Sequence, residues 1–351
     1  MAKKIISAGH VCIDITPVFE PGVQYGSLQE IFVPGRLTRV GKASVSIGGS
    51  VASTGLALKM LGADAVLLGK TGKDEFGGMI RQIMQSHGVT GIIEDETVST
   101  SYSVVIAAPG SDRCFLHSPG ANDTFLSSDI SDEVLEGAYL FHFGYPPLMR
   151  SMYLDGGSEL VKMFRRVKEK GILTSLDMAA VDVSSDAGKA DWAHILRSVL
   201  PYVDIFLPSF EEVCFMADRD AFNRLTALGG DMTAHLDVAR DIKPLADKLV
   251  SMGAKTLLLK CGSKGMYYRS GEEEGYQPCF IPARIASATG AGDTSIAAFL
   301  MAWAEGRPIS ECTRLAAAEG ACCVTTYDTL SGLLTLDELE AKIASGWETQ
   351  Q

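Results

Sequence analysis

Residues 139–177 read YLFHFGYPPLMRSMYLDGGSELVKMFRRVKEKGILTSLD. The first five residues are apolar apart from one histidine, a short run of the kind that forms a strand buried on both faces. Residues 157–170 then form an amphipathic helical stretch, closed by Gly171, the residue type that commonly ends a helix. Residues 173–177 return to a short apolar run ended by Asp177. Strand, helix and strand in succession make a βαβ unit, whose two strands run parallel.

The same alternation runs through the rest of the chain. Residues 4–8, 65–69, 205–207 and 256–260 are further strand candidates, and 51–61, 76–87, 245–252 and 294–305 are amphipathic stretches. Glycine closes these helices too, at Gly62, Gly88, Gly253 and Gly306. The fold class is therefore α/β, with a mainly parallel central sheet. Two segments break the pattern: residues 12–47 set β-branched residues among Pro17, Pro21, Pro34 and four glycines, and residues 97–117 contain a strand pattern at 102–107. Neither holds a convincing helix, so they read as strands of a small sheet beside the main one, with a pair of surface hairpins as the alternative. This divides the chain into an α/β core of residues 1–11, 48–94 and 119–351 and a β-sheet unit of residues 12–47 and 95–118. Residues 218–240 read as an irregular surface insertion.

Of the 351 residues, 46% are apolar and 21% charged, a globular composition with material for a sizeable core. A formal net charge of −12, with no basic run longer than the pairs Lys3-Lys4 and Arg165-Arg166, speaks against nucleic acid as a partner, because that requires a basic face. An anionic cofactor would have to be held locally. Eight cysteines are scattered or adjacent, as at Cys322-Cys323, with no CxxC pair and no secretory leader, so reduced thiols of a cytoplasmic protein are expected. No segment reaches the roughly 18 apolar residues of a membrane span.

The chemistry concentrates in Ser287-Ala288-Thr289-Gly290-Ala291-Gly292-Asp293-Thr294-Ser295, which leads into the apolar stretch 296–303. Glycines just before a helix let the backbone turn tightly and aim several N–H groups at one point, where the helix dipole adds positive potential. Such a loop cradles an anion. Asp293 stands at its mouth, where a carboxylate lies beside whatever receives a transferred phosphate. A carboxylate is a weak base for an alcohol, but in a loose phosphoryl-transfer transition state the proton leaves late and position counts for more than basicity. On this segment alone, an ordinary helix cap explains Asp293 equally well.

The run Thr289-Gly290-Ala291-Gly292-Asp293 resembles the C-terminal signature of ribokinase-like (PfkB-type) carbohydrate kinases. Gly48-Gly49-Ser50-Val51-Ala52-Ser53, followed by residues 54–61 and then Lys70-Thr71-Gly72-Lys73-Asp74-Glu75-Phe76-Gly77, is similar to the N-terminal signature. The opening Gly9–Ile15 segment, the loop Pro119-Gly120-Ala121-Asn122, the stretch Pro208–Glu212 and the turn Lys260-Cys261-Gly262-Ser263-Lys264-Gly265 fall in family order as well. The resemblance spans nearly the whole chain. It implies a three-layer α/β sandwich with a small β lid, and the two helix-free segments are where that lid belongs.

By the same resemblance, Gly290, Ala291 and Gly292 form an anion hole and Asp293 deprotonates the acceptor hydroxyl. Asp14, Gly48, Gly49, Ser53 and Tyr145 fall on the substrate side, and Ser209, Lys260, Gly262 and Gly265 on the nucleotide side. Glu212 matches the acid that organises Mg²⁺ through water, with Ser209 standing where the family carries Asn. Asp74 also reads as a solvated first helical turn. ATP should lie between residues 260–265 and the helix near Asp293, with residues 318–325 lining an adenine slot. A monovalent cation and a homodimer paired through the lid are further family features. Ser53 replaces the usual Asn of ribokinases proper, and residues 142–146 lack the acidic residue expected for ribose, which counts against ribose.

Gly69-Lys70-Thr71 imitates the end of a P-loop, but the required earlier glycine is Asp64. Gly290-Ala291-Gly292 lacks the third glycine and the downstream acid of a dinucleotide fold. Within the resemblance, the acceptor could instead be a nucleoside, or the chain a catalytically inactive metabolite-binding member. The intact Gly290–Asp293 run speaks against the last of these.

Overall fold

The computed structural model describes residues 2–19, 28–108 and 114–350. Residues 20–27 and 109–113, which the sequence assigns to the small sheet, lie outside the described residues. In chain order the strands are β1 (Lys4–Gly9), β2 (Cys12–Pro17), β3 (Ala43–Gly48), β4 (Asp64–Leu68), β5 (Lys70–Gly72), β6 (Ile93–Asp95) and β7 (Tyr102–Ile106). They continue with β8 (Cys114–Ser118), β9 (Leu140–Gly144), β10 (Leu173–Leu176), β11 (Ile205–Phe206), β12 (Thr256–Lys260), β13 (Gly265–Ser270) and β14 (Glu273–Pro278).

Among the described residues, eight strands form one sheet in the order β14-β13-β12-β11-β10-β9-β1-β4. The pairings from β12 to β4 are parallel, while β13 and β14 add antiparallel at one edge. Successive side chains of a strand point to opposite faces. Accordingly Ile6, Phe141, Phe206 and Leu257 enter one core, and their neighbours Ile5, Leu140, Ile205 and Leu258 enter the other. Both faces must therefore be covered. Helices including Ser158–Glu169, Trp192–Val199, Phe210–Ala217 and Lys243–Ser251 cover the first. Helices Ser50–Met60, Glu75–Ser86, Ala291–Ala304 and Ile309–Cys323 cover the second. This is the three-layer sandwich that the family resemblance implies, built on the mainly parallel sheet expected from the continuous apolar runs.

The six strands read from sequence all belong to this sheet, with ends displaced by no more than one residue. The helix-closing glycines Gly62, Gly88, Gly171, Gly253 and Gly306 all have positive φ, as a left-handed cap requires. Two readings need correction. Residues 218–240 are not irregular: they contain the helix Arg219–Thr226, and Leu225 and Thr233 are buried. The edge strands β13 and β14 were not read at all.

A four-stranded sheet, β3-β2-β7-β8, stands apart from the first. Its register places Ser46, Asp14, Ser103 and His117 side by side on one face. One residue along, Val45, Ile15, Val104 and Leu116 make an apolar row on the other. β5 and β6 form a separate parallel pair. All eight cysteines are free. No helix among the described residues is long and apolar enough to cross a membrane.

Candidate active site

The parallel strands all point their C-terminal ends to one edge of the central sheet, where ligands of open α/β folds bind. Tyr145 directly follows β9, Asp177 follows β10, Ser209 comes three residues after β11, and Lys260 ends β12. At this edge β1 and β9 approach so closely that a Cβ on Gly9 would overlap the Gly144 carbonyl. The chain then leaves β1 through His10 into the small sheet.

The helix Ala291–Ala304 starts from Gly290, which adopts a left-handed conformation with φ 79°. A side chain there would overlap Thr329, so glycine is required by both backbone and space. Asp293 sits in the first turn, 5% exposed. The Tyr145 hydroxyl donates to its Oδ2 at 2.8 Å, and the Thr54 hydroxyl donates to its Oδ1 at 3.3 Å. Burial raises the Asp293 pKa, opposed by Tyr145, Lys260 and Thr54. Tyr145 is itself unusual, a non-glycine residue at φ 66°. Its phenol pKa is driven well up by burial and by Asp293, so it acts as a hydrogen-bond donor and not as an acid.

Lys260 and Asp177 form a buried ion pair, with Nζ 2.8 Å from Oδ1. Burial pushes the Asp177 carboxyl up, with Lys260 opposing and the Glu212 and Asp293 carboxylates reinforcing. Burial works against the Lys260 charge, but Asp177 and Glu212 outweigh it and raise its pKa. Ser209 and Glu212 open the helix Phe210–Ala217 as a capping box, in which the Ser209 N–H donates to Glu212 Oε2 at 2.7 Å. In the turn after β12, Gly262 and Gly265 have φ 56° and 133°. A Cβ on Gly265 would overlap the Gln277 carbonyl of β14.

The small sheet supplies the opposite wall. Asp14 is half-buried, lies against Gly48 and is 3.4 Å from Cys12 Sγ. Burial raises its pKa, with hydrogen bonds from Cys12 and Ser103 opposing. Gly49, at φ 88°, caps the helix Ser50–Met60, which carries Ser53 and Thr54. His10 packs between this cap and the small sheet, its ring 5.2 Å from that of His117 and 6.2 Å from that of Tyr145. Burial and His117 lower its pKa to about 3, so the imidazole is neutral.

Comparison with known proteins fits this arrangement. The model of the pfkB family carbohydrate kinases matches residues 3–336. The chain belongs to that family. It is a sugar kinase that transfers phosphate from ATP. Fructokinase-2 of Oryza sativa subsp. japonica is 26% identical over 344 residues, spanning 92% of this chain and 94% of its own length. A structure of Arabidopsis thaliana ribokinase complexed with ribose and ATP superposes with a TM-score of 0.75 at 21% identity, over 97% of this chain and 98% of that one. A fructokinase with bound ATP from Xylella fastidiosa gives 0.75 at 20% identity, over 99% of both chains.

Within the kinase, the structure gathers Gly290, Gly292, Asp293, Tyr145, Lys260 and Glu212 at one edge, and Asp14 and Gly48 on the facing sheet, with Gly49 capping the helix that follows. Tyr145, expected on the substrate side, bonds to Asp293. Asp74 is a helix cap, accepting from Gly77 N and Thr100 N. Thr54, Asp177 and His10 were missed. Thr54 lies within an apolar-looking helix, and only the packing of that helix against Ala291–Ala304 reveals its partner. Asp177 could have been suspected as a carboxylate ending a doubly buried strand.

Removing the Tyr145 hydroxyl should expose its role. In Tyr145→Phe, Asp293 loses the donor that most favours its ionised form, so its pKa should rise further. The acid limb of the pH–rate profile should then move to higher pH, and kcat near pH 7 should fall about tenfold. A profile superimposable on that of the wild type would show that the hydroxyl plays no part.

Proposed function

We propose that the kinase transfers the γ-phosphoryl group of ATP to a hydroxyl of a neutral, sugar-like polyol, with Asp293 as the base. The observation that carries this reading is the placement of Asp293: buried in the first turn of the helix that starts from left-handed Gly290, with the Tyr145 and Thr54 hydroxyls donating to its carboxylate. The acceptor hydroxyl would give its proton to Asp293 as its oxygen bonds to the γ-phosphorus. Backbone N–H groups of Gly290, Ala291 and Gly292 stabilise the charge on the transferred group. Asp14 accepts from hydroxyls of the polyol, which suits a carboxylate holding two O–H donors.

The nucleotide lies between the turn 260–265 and the helix Ala291–Ala304, with Ser209, Lys260, Gly262 and Gly265 beside it. Ala318, Ala321, Cys322 and Cys323 are buried next to that region. Glu212 is the residue that would hold Mg²⁺ through water at the start of the helix Phe210–Ala217. A single carboxylate can suffice, because magnesium keeps most of its own water. When bound, magnesium neutralises phosphate charge.

The small sheet acts as a lid that closes over the acceptor and keeps water from ATP. Its outer apolar row leaves Val45 45% and Leu116 59% exposed, which favours pairing with the same row of a second copy. Sedimentation should therefore give a homodimer, and Leu116→Glu should give a monomer that stays folded. A wild-type monomer at micromolar concentration would remove the pairing.

An ATP-consumption screen across pentoses, hexoses, sugar acids, inositols and nucleosides tests the function. Turnover confined to neutral sugars or inositols supports the reading. Turnover confined to nucleosides moves the chain to a nucleoside kinase of the same fold, and turnover confined to sugar acids removes the neutral-acceptor reading.

A further inference from the structure

β10 and β12 are separated by β11 in the central sheet, yet the side chains at their C-terminal ends meet at 2.8 Å. Asp177 is 2% exposed and Lys260 7%. The lysine stem passes under the first turn of the helix Ala291–Ala304. A Cβ built on Gly292 would find Lys260 Nζ, Cε and Cδ as its nearest atoms, at 3.6, 3.7 and 3.8 Å. The ammonium thus lies beneath the anion cradle, one residue from Asp293.

Stability does not account for such a pair. A buried ion pair is on average no better than apolar residues of the same volume, because desolvation offsets the attraction. Here two further carboxylates, Glu212 and Asp293, act on the same lysine. A fold that needed only packing at this point would have no use for them.

We propose that Lys260 is a catalytic residue that neutralises charge on the transferring phosphoryl group, and that Asp177 is a positioning residue that holds the ammonium under Gly292. This rests on the kinase reading above, and goes beyond the nucleotide contact that the sequence resemblance assigns to Lys260. In the reaction the acceptor oxygen forms a bond to the γ-phosphorus. The bond from that phosphorus to the β,γ-bridging oxygen breaks, and its electron pair leaves with ADP. The acceptor proton passes to Asp293, and Lys260 keeps its protons throughout. Its effect is on charge alone, and it is greatest when charge spreads over the equatorial oxygens of the transition state.

A simple nucleotide contact would appear in ATP affinity, whereas a transition-state contact appears in kcat. Four proteins separate the cases: Lys260→Met, Asp177→Asn, the Lys260→Met/Asp177→Asn double variant, and Asp293→Asn. Each is measured for kcat with the acceptor found by the screen, for ATP affinity by calorimetry, and for melting temperature. Lys260→Met should lose about 100- to 1,000-fold in kcat while ATP affinity changes by less than about fivefold. It should also melt lower, because Asp177 is left buried without a partner. The double variant replaces that orphaned carboxyl with a neutral amide. It should regain the melting temperature and none of the turnover, an outcome that a purely structural pair would not give. Asp177→Asn should fall between the wild type and Lys260→Met in kcat.

The proposal is overturned if Lys260→Met keeps kcat within about threefold of the wild type, or if the double variant recovers turnover together with stability. It is also overturned if the loss lies wholly in ATP affinity. Asp293→Asn keeps this failure distinct from that of the base assignment. If Asp293→Asn loses turnover while Lys260→Met keeps it, the base stands and Lys260 falls. The reverse pattern leaves Lys260 standing and removes the base.

Discussion

Asp293→Asn is expected to bind ATP with nearly wild-type affinity and to lose about 100- to 10,000-fold in turnover, roughly 3–5 kcal/mol of transition-state stabilisation. The amide keeps the shape of the carboxylate. Its oxygen can still accept from one of the two hydroxyls, and the Tyr145 or Thr54 oxygen facing the new NH₂ can turn to accept from it. The fold should therefore hold. Gly290, Ala291 and Gly292 act through backbone N–H groups that the substitution leaves untouched, so the phosphates keep their cradle. What disappears is the carboxylate basicity needed to take the acceptor proton, since an amide oxygen is not protonated near neutral pH. A helix cap would behave oppositely, since Asn caps about as well as Asp, and activity would survive. More than about a tenth of wild-type turnover would assign Asp293 to capping.

The wild-type pH profile should carry a matching sign if Asp293 is the base. The base must be ionised to act, and burial raises its pKa above that of an exposed aspartate. As pH falls, turnover should be lost at a higher pH than ordinary aspartate titration predicts. Asp293→Asn should remove that limb from whatever activity remains.

Much of the fold is written into short stretches of the chain because the central strands are buried on both faces. Residues 256–260 read as a strand without reference to anything else, since Leu257 must suit one core and Leu258 the other. β14 lacks that constraint, and β13 puts buried side chains into the two cores only at Met266 and Tyr267 before its exposure rises. They run antiparallel at the edge around the exposed turn Gly271–Glu272, and β14 keeps Glu273 and Glu274 in solvent. Such a segment reads as a charged loop. The helix Arg219–Thr226 was hidden for a related reason, since Leu225 is its only buried residue.

The site divides in the same way. Gly290, Gly292 and Asp293 work within one helical turn, so their spacing states their chemistry. Thr54 and Asp177 acquire their roles only through topology. Thr54 is 239 residues from Asp293, and Asp177 is 83 residues from Lys260. Helix packing in one case and strand order in the other brings each pair together, and no local pattern encodes either. The left-handed backbone of Tyr145 is equally silent in sequence, because tyrosine has no preference for that conformation.

Gly48 and Gly49 are adjacent and look interchangeable, yet replacing each by alanine should give opposite lesions. A Cβ on Gly48 meets the carboxylate of Asp14, a side chain that can rotate away, and the Gly48 backbone is ordinary strand. Gly48→Ala should therefore fold with a stability loss under about 1 kcal/mol, while the displaced Asp14 loses its hold on the acceptor. A hydrogen bond to a charged group contributes about 1.5–3 kcal/mol, so the acceptor KM should rise by about tenfold or more while ATP affinity stays constant. Gly49 has φ 88°, where an L side chain is strained, and its Cβ would overlap the backbone carbonyl of His10. That carbonyl accepts from Val51 N at 3.1 Å and ties the start of the helix Ser50–Met60 to the end of β1. It has no rotamer with which to escape. Strain and overlap together should cost roughly 2–5 kcal/mol, and the loss should appear first in the melting temperature. Because that helix also carries Thr54, whatever Gly49→Ala protein remains folded should show a lower kcat as well as a higher KM. Equal melting temperatures for the two variants would mean that the cap at Gly49 relaxes as freely as the Asp14 side chain. Both glycines would then serve only to clear space for the acceptor.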